Sequence, residues 1–141
     1  PKLNEDYIKT GQVKFVFINY AFLGQDSTEA AVAAECVYNQ DKQQFWDFHK
    51  SLYDNQGAEH SGWVTPDLVM SIARNSTEGL DYNQLQSCIN TRATSGAVNS
   101  DNQVASSHGV TGTPTIFVNG KKINQWNNYN ALKAAIEAEL P

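Results

Sequence analysis

The chain has 141 residues, 40% of them hydrophobic and 18% charged, which is enough for one domain's core and too little for two. Its net charge is −5, with Lys and Arg scattered and 14 Asn and 10 Gln filling much of the polar share, so the composition argues against a nucleic-acid phosphate partner. The longest apolar run, residues 15–18, is far too short to span a bilayer.

The chain starts at Pro1, not Met, and carries no basic-plus-apolar leader. It therefore reads as a processed or excised piece, for which a missing leader says nothing about export. Residues 1–10 place Leu3, Tyr7 and Ile8 on one side, with Gly11 where a helix C-cap glycine belongs, the pattern of a helix tail. Residues 13–20, V-K-F-V-F-I-N-Y, are β-rich and almost continuously apolar, as in a parallel-sheet strand covered on both faces.

Helical signals follow. Ser27 is placed to cap a helix holding Ala30, Ala33, Ala34 and Val37. Phe45, Phe48, His49, Leu52 and Tyr53 then form an amphipathic stripe over 43–54. Thr65-Pro66-Asp67 is a helix start, and Asp81 with Gln84 resembles a capping box for 82–90. Residues 93–108 form a weaker helix closed by Gly109.

The end of the chain changes character. Residues 115–118 read as a strand, Asn119-Gly120 as a type I′ turn and 121–126 as the returning strand. A last helix over 129–140 turns Leu132, Ala135, Ile136 and Leu140 inward. One early strand, several helices and a terminal hairpin argue for an α/β unit with a mixed sheet.

The most specific chemistry-bearing feature is Thr111-Gly112-Thr113-Pro114-Thr115 leading into the hairpin. A proline entering a buried strand fits either a cis peptide bond or an ordinary trans bond at a strand start. His49, His60 and His108 lack metal-ligand spacing, His49 lying on the buried side of its stripe, and no cofactor or metal is expected. Cys36 and Cys88 form no C-x-x-C pair. Each lies on an apolar helical stripe, where a free cysteine behaves as a small hydrophobe. Trp63 and Trp126 are read first as aromatic packing and second as the lining of a peptide groove. The triplet Asn75-Ser76-Thr77 matches a glycosylation sequon of the kind that arises by chance.

G-V-T-G-T-P-T-I-F-V-N-G followed by a closing helix resembles the end of a thioredoxin-fold domain. V-K-F-V-F-I-N-Y, an Ala-rich helix and Q-F-W-D-F-H-K-S-L-Y narrow the resemblance to the DsbA-like thiol-disulfide oxidoreductases. It covers the whole chain. The resemblance implies an N-terminally truncated thioredoxin-like fold over 1–141 with a helical insertion at 61–109. It also implies a cis bond at Pro114, and extended or unfolded protein substrates bound at Thr113 and Pro114 by backbone pairing.

Family members place a strand and then C-x-x-C ahead of a segment like 1–10, and neither occurs in this sequence. On this reading no catalytic residue lies in the chain, which is the larger C-terminal part of an extracytoplasmic oxidoreductase, inactive by itself but with a redox partner for the whole protein. Some members carry a second, non-catalytic disulfide, which would tie Cys36 to Cys88 as a structural bridge. In such a fold the missing strand lies between those matching 13–20 and 115–118. About ten unpaired backbone groups at 1–3 kcal/mol each would rival the 5–15 kcal/mol stability of a typical domain. The expectation is therefore that the two edges pair directly, or that a homodimer forms by strand donation or edge pairing. The competing readings are a non-catalytic peptide-binding module and a glutathione-dependent isomerase or transferase.

Overall fold

A computed structural model describes residues 2–141. Its contacts divide into two compact units, one of residues 2–17 with Ser106–Pro141 and one of Ile18–Ala105.

The larger unit is helical: α1 (Gln25–Gln40), α2 (Gln44–Asp54), α3 (Pro66–Ser76) and α4 (Tyr82–Thr91), followed by most of α5 (Ser95–Ser107). Small residues let α1 sit at its centre. Ala31, Val32, Ala33, Ala34, Cys36 and Val37 are all buried, and α1 packs against both α2 and α4. Phe48, Val69, Leu85 and Val98 fill the space from the other helices, each less than 2% exposed.

Side-chain caps set the starts of α3 and α4. Thr65 accepts from the Leu68 amide at the start of α3, with Pro66 at the first helical position. Asp81 caps α4 by accepting from Asn83 and Gln84. The reciprocal half of the expected capping box comes from elsewhere. Gln40, at the end of α1, accepts the Asp81 amide at 2.9 Å through Oε1 and donates through Nε2 to the Asp81 carbonyl at 3.1 Å.

The start of α1 departs from expectation. The helix begins at Gln25 with Gly24 at the N-cap, two residues ahead of Ser27. Asp26, buried in the first turn, accepts from the Gly62 and Val64 amides at 2.9 and 3.2 Å, so the helix start is fixed by a loop it holds and not by a hydroxyl cap.

The smaller unit gathers around Tyr7, Leu132 and Ile136. Leu3, Val13, Ile116, Val118, Ile123 and Leu140 pack against them. Asn4–Ile8 is a π-helical turn, closed by the Lys9 amide on the Asn4 carbonyl at 2.9 Å. Gly11 follows at φ +76 and donates to the Ile8 carbonyl, as a terminating glycine does.

β1 (Ile116–Val118) and β2 (Lys121–Ile123) form an antiparallel hairpin across Asn119 (φ 44) and Gly120 (φ 80), the two left-handed positions of a type I′ turn. The returning strand is shorter than expected and breaks into a turn after Ile123, and α6 (Tyr129–Glu137) ends before Leu140. Asn128 caps α6, accepting from Asn130 and Ala131.

Three expectations about the sheet are corrected. Among the described residues it has two antiparallel strands, not a mixed set. Residues 13–20 form no strand, and Phe15, Val16 and Ile18 are 45%, 60% and 41% exposed instead of covered on both faces. Nor do two edges close on each other, since β1 pairs with β2 alone.

The cause is local. An apolar run becomes a strand through neighbours that hydrogen-bond to it. Here side chains of α5 take backbone groups that a strand would otherwise take: Asn19 donates its amide to Asp101 at 2.9 Å, and Ala21 to Asn102 at 2.8 Å.

Candidate functional site

The hairpin register builds the first site. Ile116 faces Ile123, Phe117 faces Lys122 and Val118 faces Lys121. Beyond the open end of the hairpin, Thr113 and Thr115 precede β1, and Asn124 and Trp126 lie in the turn that follows β2. All four line one cleft of about 290 Å³ with Thr111, Gly112, Pro114, Lys122 and Ile123. The Thr113–Pro114 peptide bond is cis. Both residues are exposed, and the Thr115 hydroxyl donates to the Gly112 carbonyl at 2.7 Å, fastening the loop onto itself. Trp126 is 44% exposed at the rim.

The cleft therefore offers exposed backbone at Thr113, one indole and one ammonium. Trp126 was legible as a groove candidate. Lys122 and Asn124 were missed, although alternation across the Asn119-Gly120 turn points to both.

The second feature lies in the helical unit. Cys36 of α1 and Cys88 of α4 are joined as a disulfide with a sequence separation of 52. This is the pair that the family resemblance tied together, and because a thiol can reduce it, it corrects the expectation that the chain holds no cysteine able to enter thiol-disulfide exchange. Access limits that chemistry. Cys36 is 1% exposed and Cys88 half-buried, and the Cys36 sulfur lies 3.6 Å from the Thr94 hydroxyl, itself 2.8 Å from the Val32 carbonyl.

A carboxylate cluster in the same unit had no sequence signal. The buried Asn19 side chain donates to Glu35 at 2.8 Å and to Asp101 at 3.0 Å. Burial, then the nearby Asp101 carboxylate, raises the Glu35 pKa against the lowering pull of the Asn19 amide.

The histidines go three ways. His49 is half-buried among Phe45, Trp46 and Tyr53, and burial lowers its pKa. His60 adopts φ 60 with its ring against Gly24, where a Cβ would come within 2.9 Å of Nδ1. His108 meets Phe117 edge-on, with ring centroids 6.4 Å apart. Among the described residues no group of three or more His, Cys, Asp or Glu can hold a metal. Trp63 packs on Gly57, so tightly that a Cβ there would lie 2.6 Å from it.

Comparison with known proteins places this geometry in a lineage. A family model described as thioredoxin matches residues 1–138. The chain is 36% identical over 140 residues to the probable disulfide bond formation protein D of Bacillus cereus, covering 99% of this chain and 64% of that protein. It is equally 36% identical to disulfide bond formation protein D of Bacillus subtilis, covering 99% and 63%. The chain thus spans less than two thirds of the length of these curated relatives.

Oxidised BdbD from Bacillus subtilis superimposes with a TM-score of 0.91 at 35% identity, over 99% of this chain and 75% of that one. DsbA from Chlamydia trachomatis shares the fold, with a TM-score of 0.84 at 20% identity over 98% and 74%.

Proposed function

The chain belongs to the DsbA-like thiol-disulfide oxidoreductases of the thioredoxin superfamily, and from that premise we propose that it supplies the substrate-holding side of a disulfide-forming reaction on exported proteins. In that reaction two substrate thiols give up two protons and two electrons as their sulfurs join, while a protein disulfide becomes a dithiol, to be reoxidised by a redox partner of the whole protein. The observation that carries the reading is the cleft in which exposed Thr113 and Pro114 stand beside Trp126 and Lys122. Backbone pairing at Thr113 accepts an extended chain with little regard to sequence, as a catalyst with many clients requires.

In this reading the Cys36–Cys88 disulfide is a brace and not the reacting pair. Its Cys36 sulfur is shut inside the helical unit, away from any extended substrate. A disulfide of this kind persists in oxidising compartments, which supports an extracytoplasmic location.

The test is oxidative refolding of reduced ribonuclease A by the whole protein. Thr113→Trp, which fills the cleft, is expected to slow refolding at least about tenfold, whereas Cys36→Ala/Cys88→Ala leaves the rate within about twofold at a temperature where the variant is folded. Refolding that ignores Thr113→Trp removes the cleft from the reaction. Loss of activity in the cysteine variant would make Cys36 and Cys88 the reacting pair.

A further inference from the structure

The two faces of the hairpin have different fates. Ile116 and Val118 turn to the core around Tyr7, Leu132 and Ile136, and Ile123 borders both core and cleft. Lys122 of β2, Thr113 and Thr115 ahead of β1, and Asn124 and Trp126 in the turn after β2 line the cleft. Residues that only continued the hairpin would be small or polar there. Instead the outer limb ends in an indole that is 44% exposed, facing the proline loop. A tryptophan left in water beside exposed backbone is the side chain best suited to anchor an apolar group.

Charge adds a second criterion. Lys122 is the one charged group among the described residues lining the cleft, on a chain whose net charge is −5. An approaching carboxylate is repelled by most of the surface and attracted here. Lys122 lies in β2 and Trp126 in the turn after it, so both side chains line one cleft from neighbouring places on the returning limb.

We propose that Trp126 and Lys122 select among the extended peptides held at Thr113, favouring those with a large apolar side chain and, two to four positions away, a carboxylate. The proposal rests on the peptide-holding role of the proline loop. It gives the two side chains separate tasks: Trp126 covers the apolar group and excludes water from the paired backbone, and Lys122 fixes the direction in which the peptide lies.

Four acetylated, amidated and fluorescein-labelled heptapeptides test it by anisotropy. They differ at two positions only, pairing Phe or Ala with Glu or Lys three residues on. The protein is expected to bind the Phe/Glu peptide about tenfold more tightly than Ala/Glu, and severalfold more tightly than Phe/Lys. Trp126→Ala erases the first preference while Trp126→Phe keeps it, and Lys122→Glu reverses the second.

Equal affinity for all four peptides overturns the proposal, as does a Phe preference that survives Trp126→Ala. Thr113→Trp separates the two levels of the claim. If it abolishes binding while Trp126→Ala leaves selectivity intact, only the selection fails. If it leaves binding untouched, or no peptide binds, the holding role falls as well.

Discussion

The backbone amide and the side-chain amide of Asn19 both point at one oxygen, Asp101 Oδ2, at 2.9 and 3.0 Å. The second side-chain hydrogen goes to Glu35 Oε1 at 2.8 Å, so one buried asparagine gathers two carboxylates from different helices. The Asn19 hydrogen bond favours the ionised Glu35, but burial, then the Asp101 carboxylate, still raises its pKa.

Glu35→Gln should therefore stabilise the protein at neutral pH. Because the Glu35 pKa is raised on folding, the folded chain binds more protons than the unfolded one above the ordinary value of 4.5, and stability falls as pH rises through that window. Gln keeps an acceptor for Asn19 and removes the charge. We expect a gain of up to about 1 kcal/mol at pH 7 after solvent screening, fading as the pH drops toward 4.5. Urea denaturation at several pH values measures it, and equal midpoints at all of them would contradict the account.

The cysteine pair makes a separate prediction from its place in the chain. Closing a loop of separation 52 should stabilise by about 4 kcal/mol in the chain-entropy model. Cys36→Ala/Cys88→Ala should lower stability by roughly that amount in urea. Denatured, unreduced protein should show no free thiol, and two titrating thiols would mean that the bridge does not form.

Alkaline pH should loosen the smaller unit first around α6. The Tyr129 hydroxyl donates to Asp6, and that bond, with burial and the same carboxylate's charge, pushes its pKa up to about 12. A raised tyrosine pKa contributes stability that is complete below the unfolded value near 10 and lost as pH climbs toward about 12. Tyrosinate absorbance should show a late-titrating phase that Tyr129→Phe removes. An unchanged titration curve would place the late phase elsewhere.

The helices were the readable part of the sequence because their signals are local. Thr65-Pro66-Asp67 and Asp81 act within a few residues, and the structure uses them as such. Asn119-Gly120 is equally local, a two-residue instruction for a hairpin. The segment 13–20 misled because its apolar run reports burial in company, and Phe15, Val16 and Ile18 are exposed here. Ser27 looked like a cap, but Asp26 next to it commands a loop 36 residues away. In the cleft, Thr113 and Pro114 carried a family motif, whereas Lys122 and Asn124 became visible only through the cleft they line. The union of Asn19, Glu35 and Asp101 depends on three elements meeting and leaves no trace in spacing.

Gln40 carries a constraint that composition would never suggest. Its amide engages both backbone groups of Asp81, giving with nitrogen and taking with oxygen. Glutamate has nearly the same shape but presents only acceptors when ionised, so it would set a negative oxygen against the Asp81 carbonyl. Hydrolytic ageing makes that very exchange, trading an NH₂ for an oxygen in a protein rich in such amides. Beside the covalent bridge from Cys36 to Cys88, the hydrogen-bonded clasp between the end of α1 and the start of α4 thus depends on the identity of a single atom.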